Sequence, residues 1–287
     1  MRQYLSLVKF SHTVFAMPFA MVGFTLGVND EPSLFSYFKL GLVILCMVFA
    51  RNAAMAFNRF KDRDIDSVND RTKMREIPAG VIKEKYAKWF ISINVILFIF
   101  TTYFINPLCF VLSPVALAVI LGYSYTKRFT FLCHIVLGLG LSLSPIGSYL
   151  AVTGYFSLIP ILLGISIVFW VSGFDIIYAL QDEAFDKSQS LYSIPVLLGT
   201  GNALSLARAF HLCCAILLTY SISLMHVNYP SLSYISFIGL GVFISLLIYQ
   251  HLLVKKDDLS KVDMAFFTTN GVASVLFGTF LIFDLIF

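Results

Sequence analysis

The sequence predicts an all-α, polytopic membrane protein on three observations. Of its 287 residues, 59% are hydrophobic and only 13% charged; the mean hydropathy is +0.86; and the apolar residues gather in long runs. The runs fall at 12–28, 38–57, 89–106, 108–125, 131–150, 159–178, 203–225, 234–253 and 264–286. Each lies near the ~20 residues that a helix needs to cross a bilayer core. Nine transmembrane helices are therefore expected, with the third and fourth meeting at Asn106 and Pro107.

Charge sets the expected orientation. Lys and Arg cluster at 2–9, 59–88, 127–128, 187–208 and 255–261, leaving Lys39 near the opposite side and Arg51 inside a span. By the positive-inside rule those segments are cytoplasmic, which puts the N-terminus inside and, after nine spans, the C-terminus outside. The first apolar run has no small-residue cleavage site and is expected to join the helical set. Five cysteines fall mostly within spans and form no C-x-x-C, so they read as packing residues. The five histidines form no H-E-x-x-H and receive no role. No nucleic acid and no obligate protein partner are expected.

Two polar stretches interrupt the pattern. Residues 59–88 make a stretch longer than helix-joining loops usually are, with a turn expected at Pro78, Ala79 and Gly80 and an amphipathic helix entry at 83–88. Residues 181–202 form the second stretch and end in a turn followed by a new helix. Both follow an even-numbered span, which suggests two pseudo-repeated halves, helices 1–4 and helices 5–8, with a ninth helix added. Such repeats place a shared site in a central cavity between the halves. The chain reads as one membrane domain over residues 1–287.

The chemistry is concentrated in two acidic ladders. Asn58, Asp62 and Asp66 stand in NRFKDRDID, and Asp175, Asp182 and Asp186 in DIIYALQDEAFD. Residues four or seven apart share one face of an α-helix, so each ladder is expected to point one way. Like charges near hydrocarbon repel, so either the carboxylates are protonated or a cation sits among them. Mg²⁺ suits the second case, because it takes oxygen ligands and commonly joins one or two carboxylates to a phosphate. Two Mg²⁺ would cancel the four charges of Asp62, Asp66, Asp182 and Asp186.

A diphosphate bound there needs positive partners, and Arg71, Lys73 and Arg75 in RTKMR and Lys127 and Arg128 in YSYTKR supply them. The plainer reading of the same residues is that they are topology signals touching anionic headgroups. A diphosphate handled at a membrane edge points to a lipid diphosphate whose tail stays in the bundle.

NRFKDRDID resembles the N-x-x-x-D-x-x-x-D motif of the UbiA superfamily of intramembrane aromatic prenyltransferases. DIIYALQDEAFD resembles its D-x-x-Y-A-x-x-D-x-x-x-D motif, and YSYTKRFT and RTKMREIPAG are similar to that family too. The resemblance spans most of the chain. One departure is Arg59, where many members carry Asp; it marks a lost acidic group or a subfamily nearer the polyprenyltransferases of the futalosine route to menaquinone.

The resemblance implies that Asn58, Asp62, Asp66, Asp182 and Asp186 hold two Mg²⁺ on a polyprenyl diphosphate, with Lys127 and Arg128 on the diphosphate itself. The prenyl group would pass to an electron-rich aromatic ring, behind apolar walls that keep water out. Arg51 lies seven residues before Asn58, and Asp175 seven before Asp182, each about two turns deeper. A charge at that depth needs a partner or a cavity. They either pair with each other or, as the resemblance favours, Arg51 anchors the carboxylate of an aromatic acid while Asp175 polarises its hydroxyl. Tyr178 either hydrogen-bonds a metal ligand or the diphosphate, or is an ordinary interfacial tyrosine.

The leading expectation is therefore a Mg²⁺-dependent polyprenyltransferase of ubiquinone or menaquinone biosynthesis in a bacterial inner membrane, acting at the cytoplasmic face on 4-hydroxybenzoate or a hydroxynaphthoate. A transporter of a cation or phosphorylated metabolite is the alternative from another class, since intramembrane charges also suit alternating access. A superfamily member with a different acceptor, such as haem or a glycerol phosphate lipid, is the third.

Overall fold

The structure, a computed structural model, describes residues 2–8 and 15–287. Among them, regular structure is helical apart from one isolated bridge between Lys255 and Asp258. The helices are α1 (Arg2–Leu7), α2 (Met17–Asp30), α3 (Tyr37–Lys61), α4 (Arg63–Val68), α5 (Glu84–Tyr103), α6 (Pro107–Thr126), α7 (Cys133–Thr153), α8 (Leu158–Ala179), α9 (Glu183–Ser188), α10 (Ile194–Asn228, broken by a kink at Gly199), α11 (Ile235–Leu253) and α12 (Asn270–Ile286). A π-helical turn, Met264–Thr269, leads into α12.

Eight of the nine expected spans are present among the described residues as helices long and apolar enough to cross a membrane. The remaining one, expected at 12–28, corresponds to α2, whose 14 residues reach about 21 Å; residues 12–14 lie outside the described residues. The junction at Asn106 and Pro107 is where expected: Asn106 Oδ1 accepts from the Cys109 N–H at 2.8 Å, just inside the start of α6.

The chain divides into two compact units, one of residues 1–13 and 36–125 and the other of 14–35 and 126–287. In the first unit α3 packs on α5. Ala56 and Ala87 are fully buried there with Leu7, Ile77, Ile82 and Ile91, and the small side chains let the backbones come close. Asn52 Nδ2 donates to Asn94 Oδ1 at 3.1 Å across the pair. Much of the polar stretch 59–88 is helical: α3 runs on to Lys61, α4 follows, and α5 starts at Glu84. The connection is thus confined to 69–83. Its turn is the expected one, with the Gly80 N–H donating to Ile77 O at 3.0 Å and Gly80 at φ +73°.

The second unit holds the main core, in which Phe19, Trp170, Phe243 and Phe277 are buried against one another. Here the structure departs from the expected halves, because α2 packs within this second unit. The reason lies in Gly23 and Gly27, one turn apart. A Cβ on Gly23 would fall 2.1 Å from Pro145 O, and one on Gly27 2.9 Å from Val152 Cβ. Only glycine allows α2 this close to α7.

Both intrahelical prolines, Pro114 in α6 and Pro145 in α7, follow a serine. Each proline removes the donor to the carbonyl four residues back. Ser113 Oγ donates to Phe110 O and Ser144 Oγ to Leu141 O, each at 2.8 Å, so the carbonyl freed by the proline keeps a donor in an apolar setting.

Candidate functional site

Neither acidic ladder lies on one unbroken helix, contrary to expectation. In the first unit α3 stops at Lys61 and α4 starts at Arg63, with Asp62 between them at φ −91°, ψ 7°. In the second unit α8 runs through a 3₁₀ turn, Leu180–Asp182, into α9, and Asp182 takes φ −102°, ψ 2°. This is the bridge region, sparsely used and common in active sites. The two motifs thus break at the same place, their middle Asp, and each continues in a six-residue helix that carries its last Asp, Asp66 or Asp186.

In the first motif Asn58 Nδ2 donates to Asp62 Oδ2 at 3.0 Å, so these two already share one face. Asp66 is buried, and Arg75 Nη1 donates to both of its oxygens, at 2.7 and 2.9 Å. Arg59 is buried as well and lies within electrostatic range of Asp66, Glu76 and Arg75. Arg59 is therefore part of the charge balance around Asp66. Lys73 is exposed and pairs with Asp70 at 2.6 Å; that hydrogen bond holds the Asp70 carboxyl below its ordinary range. Arg71 is exposed. Arg51, two turns before Asn58 on α3, is half-buried, and its Nε is shielded from solvent and donates no hydrogen bond.

In the second motif Asp182 and Asp186 are both buried, Asp186 completely. Lys127 Nζ comes to 2.7 Å from Asp186 Oδ1. The pair is one of charge, since neither Asp186 oxygen accepts a hydrogen bond of good geometry. The backbone ties this lysine in place: the Tyr192 N–H donates to Lys127 O and the Leu191 N–H to Asp186 O, at 2.8 and 2.9 Å. Arg128 is half-buried. Tyr178 stacks on Phe266 with ring centroids 4.1 Å apart. It continues a stripe of Trp170 and Phe174 down α8 toward Asp182.

Asp175 has a partner that the sequence did not suggest. Its Oδ2 lies 2.7 Å from Nδ1 of His134, near the start of α7. Forty-one residues separate the two, and no spacing rule links them.

Among the described residues no three His, Cys, Asp or Glu side chains are gathered closely enough to hold a metal by themselves. The donor chemistry nevertheless fits a hard cation. The motif residues offer oxygen only, and Asp186 keeps two buried carboxylate oxygens without hydrogen bonds, which a bound cation would satisfy. Arg75 and Lys127 pair with Asp66 and Asp186.

Fold and motifs together define an integral membrane protein built of apolar helices with a repeated acidic motif. The chain belongs to the UbiA prenyltransferase family, whose pattern matches residues 16–272. It is 28% identical over 240 residues to a 4-hydroxybenzoate octaprenyltransferase of Photobacterium profundum, covering 83% of this chain and 81% of that one. Among solved structures it is similar to an apo UbiA homolog from Aeropyrum pernix, with a TM-score of 0.83, 29% identity and coverage of 96% and 98%. It also shares the fold of a UbiA homolog from Archaeoglobus fulgidus bound to GPP and Mg²⁺, with a TM-score of 0.75, 23% identity and coverage of 99% of each chain. Family membership makes the chain a prenyltransferase and sets the transporter reading aside.

Proposed function

We propose that this chain transfers a polyprenyl group from a polyprenyl diphosphate to an aromatic acid of the 4-hydroxybenzoate or hydroxynaphthoate type, as a step of ubiquinone or menaquinone biosynthesis. The observation that carries the reading is the repeated break at Asp62 and Asp182, which delivers the same pair of carboxylates twice. The printed activity of the Photobacterium relative supports the aromatic acid. Arg51 supports it as well, since a shielded guanidinium nitrogen without an acceptor suits a substrate carboxylate.

Asn58, Asp62, Asp66, Asp182 and Asp186 are the residues that would hold Mg²⁺. Bound there, the ion would neutralise diphosphate charge as it develops on the leaving group. Lys127 and Arg128 bind the diphosphate, Lys127 on release from Asp186, with Arg71, Lys73 and Arg75 as further basic groups at the first motif. Arg51 anchors the carboxylate of the acceptor and Asp175 accepts a hydrogen bond from its hydroxyl. Aromatic walls such as Tyr178 on Phe266 keep water from the reacting carbon. By the positive-inside rule both motifs face the cytoplasm of a bacterial inner membrane, with the N-terminus on the same side.

The test is to incubate membranes containing the chain with labelled prenyl diphosphate, Mg²⁺ and a panel of aromatic acids, and to identify products by mass. A prenylated aromatic acid that disappears with EDTA supports the reading. Transfer only to haem or to a glycerol phosphate lipid overturns it.

A further inference from the structure

We infer that His134 is a positioning residue that holds Asp175 ready for the hydroxyl of the acceptor. The inference rests on the aromatic-acid transfer proposed above.

Three observations carry it. His134 is buried, with Nδ1 2.7 Å from Asp175 Oδ2. On its other side the Ile194 N–H, at the first residue of α10, donates to His134 Nε2 at 3.3 Å. A nitrogen facing that N–H must accept, so the proton of the neutral ring sits on Nδ1 and is given to Asp175. The start of a helix always leaves N–H groups without intrahelical acceptors, and here one of them selects the tautomer.

The frame around the ring is closely packed. Ser172 Oγ shares its one proton between Val168 O at 2.6 Å and, more weakly, His134 O at 3.2 Å, which joins α7 to α8 one turn before Asp175. A Cβ on Gly138 would fall 2.7 Å from Val168 O, so the helices meet at backbone distance one turn beyond His134. Cys133 Sγ lies 3.6 Å from Tyr192 O, tying the residue beside His134 to the segment that carries Ile194. The ring therefore has little freedom to turn, and the carboxylate that it grips inherits that orientation. Asp175 still leaves 22% of its side chain exposed, so the carboxylate is held but reachable.

The arrangement has a plain chemical use. In prenyl transfer to a phenol the allylic C–O bond breaks and diphosphate leaves with the electron pair. The ring carbon supplies the pair for the new C–C bond, and the ring proton passes to the released diphosphate as aromaticity returns. A carboxylate fixed against the hydroxyl pushes electron density into the ring at the moment when the bond forms. A carboxylate free to swing would do so only in part of its orientations.

The test separates the two nitrogens of the ring. In His134→Asn the side-chain amide falls near the place of Nδ1 and can still donate to Asp175. In His134→Gln it falls near Nε2 and can still accept from Ile194, but leaves Asp175 without its donor. Wild type and both variants are assayed with prenyl diphosphate and the best aromatic acid, with kcat and both KM values measured and the folded fraction quantified by size exclusion. The expected result is a kcat lowered roughly 10- to 100-fold in His134→Gln, an unchanged KM for prenyl diphosphate, and recovery of most of kcat in His134→Asn.

Equal loss in both variants, wild-type rates in both, or failure of both to fold would overturn the positioning role and leave the functional reading standing. A wild type without any prenylated aromatic product would overturn the functional reading and this inference together.

Discussion

The first and second acidic motifs share a backbone but not a means of charge balance. Each breaks at its middle Asp and places its last Asp, buried, on a six-residue helix. Asp66 is satisfied locally, by an arginine nine residues on that contacts both its oxygens. Asp186 depends on Lys127, which reaches it from the segment ahead of α7 and makes one charge contact. The first motif is nearly self-contained, whereas the second is held only when distant parts of the chain have packed. Buried carboxylates tolerate both arrangements because each supplies a cation, but the second leaves its oxygens open to a stronger one.

The largest expected effect tests whether the motifs are equal in function despite this difference. Asp62→Asn and Asp182→Asn should each lower prenyl transfer by about 1,000-fold, the scale of losing a group that stabilises developing charge, in protein that still elutes as a folded species. A mild effect in one of them would show that its motif serves structure alone.

The next effect separates the two cations. Lys127→Ala should raise the KM for prenyl diphosphate about tenfold or more, through loss of a charge-assisted contact. Arg75→Ala should act mainly on stability. Breaking a fully buried pair costs ~3–5 kcal/mol, and the partial exposure of Arg75 reduces this to about 1–3 kcal/mol. Thermal unfolding in detergent checks the second and initial rates the first; exchanged outcomes would reverse the contrast.

Mg²⁺ should sharpen the comparison further. A ligand at 100 times its Kd stabilises the folded state by about 2.7 kcal/mol, so the unfolding midpoint of the wild type should rise with Mg²⁺ and fall back with EDTA. In Asp186→Asn most of that rise should vanish. An identical rise in both proteins would mean that the cation binds elsewhere.

The smallest effect is a control at the other end of the second unit. Asp30 accepts hydrogen bonds from Tyr149 Oη and Tyr229 Oη. Asp30→Asn should cost about 1 kcal/mol of stability and leave kcat unchanged, as shown by unfolding and rate measurements on the same preparation.

The helices were legible in the sequence because hydrocarbon imposes a length and a composition on every span. Most of their ends were readable within about five residues, as the junction at Asn106 and Pro107 illustrates, but α10 starts at Ile194, well ahead of the run expected from 203. The acids of the two motifs stood out in the sequence because acids are rare in such a chain. Two features were hidden. The grouping of α2 with α7 rests on Gly23 and Gly27 meeting Pro145 and Val152, and small residues on a helix do not announce which neighbour they admit. The bond between His134 and Asp175 joins residues far apart in the chain, and a single histidine carries no periodic signal. The ladders themselves misled in one respect, since four-residue spacing fits an unbroken helix and gives no sign of the break at Asp62 and Asp182.

The central claim, that both motifs serve one Mg²⁺-dependent transfer to an aromatic acid, is tested most directly by product analysis of wild type, Asp62→Asn and Asp182→Asn with labelled prenyl diphosphate and the aromatic acid panel. The account predicts a prenylated aromatic acid from the wild type alone, and none after EDTA. The same product from either variant at an undiminished rate, or from the wild type without a divalent metal, would contradict it.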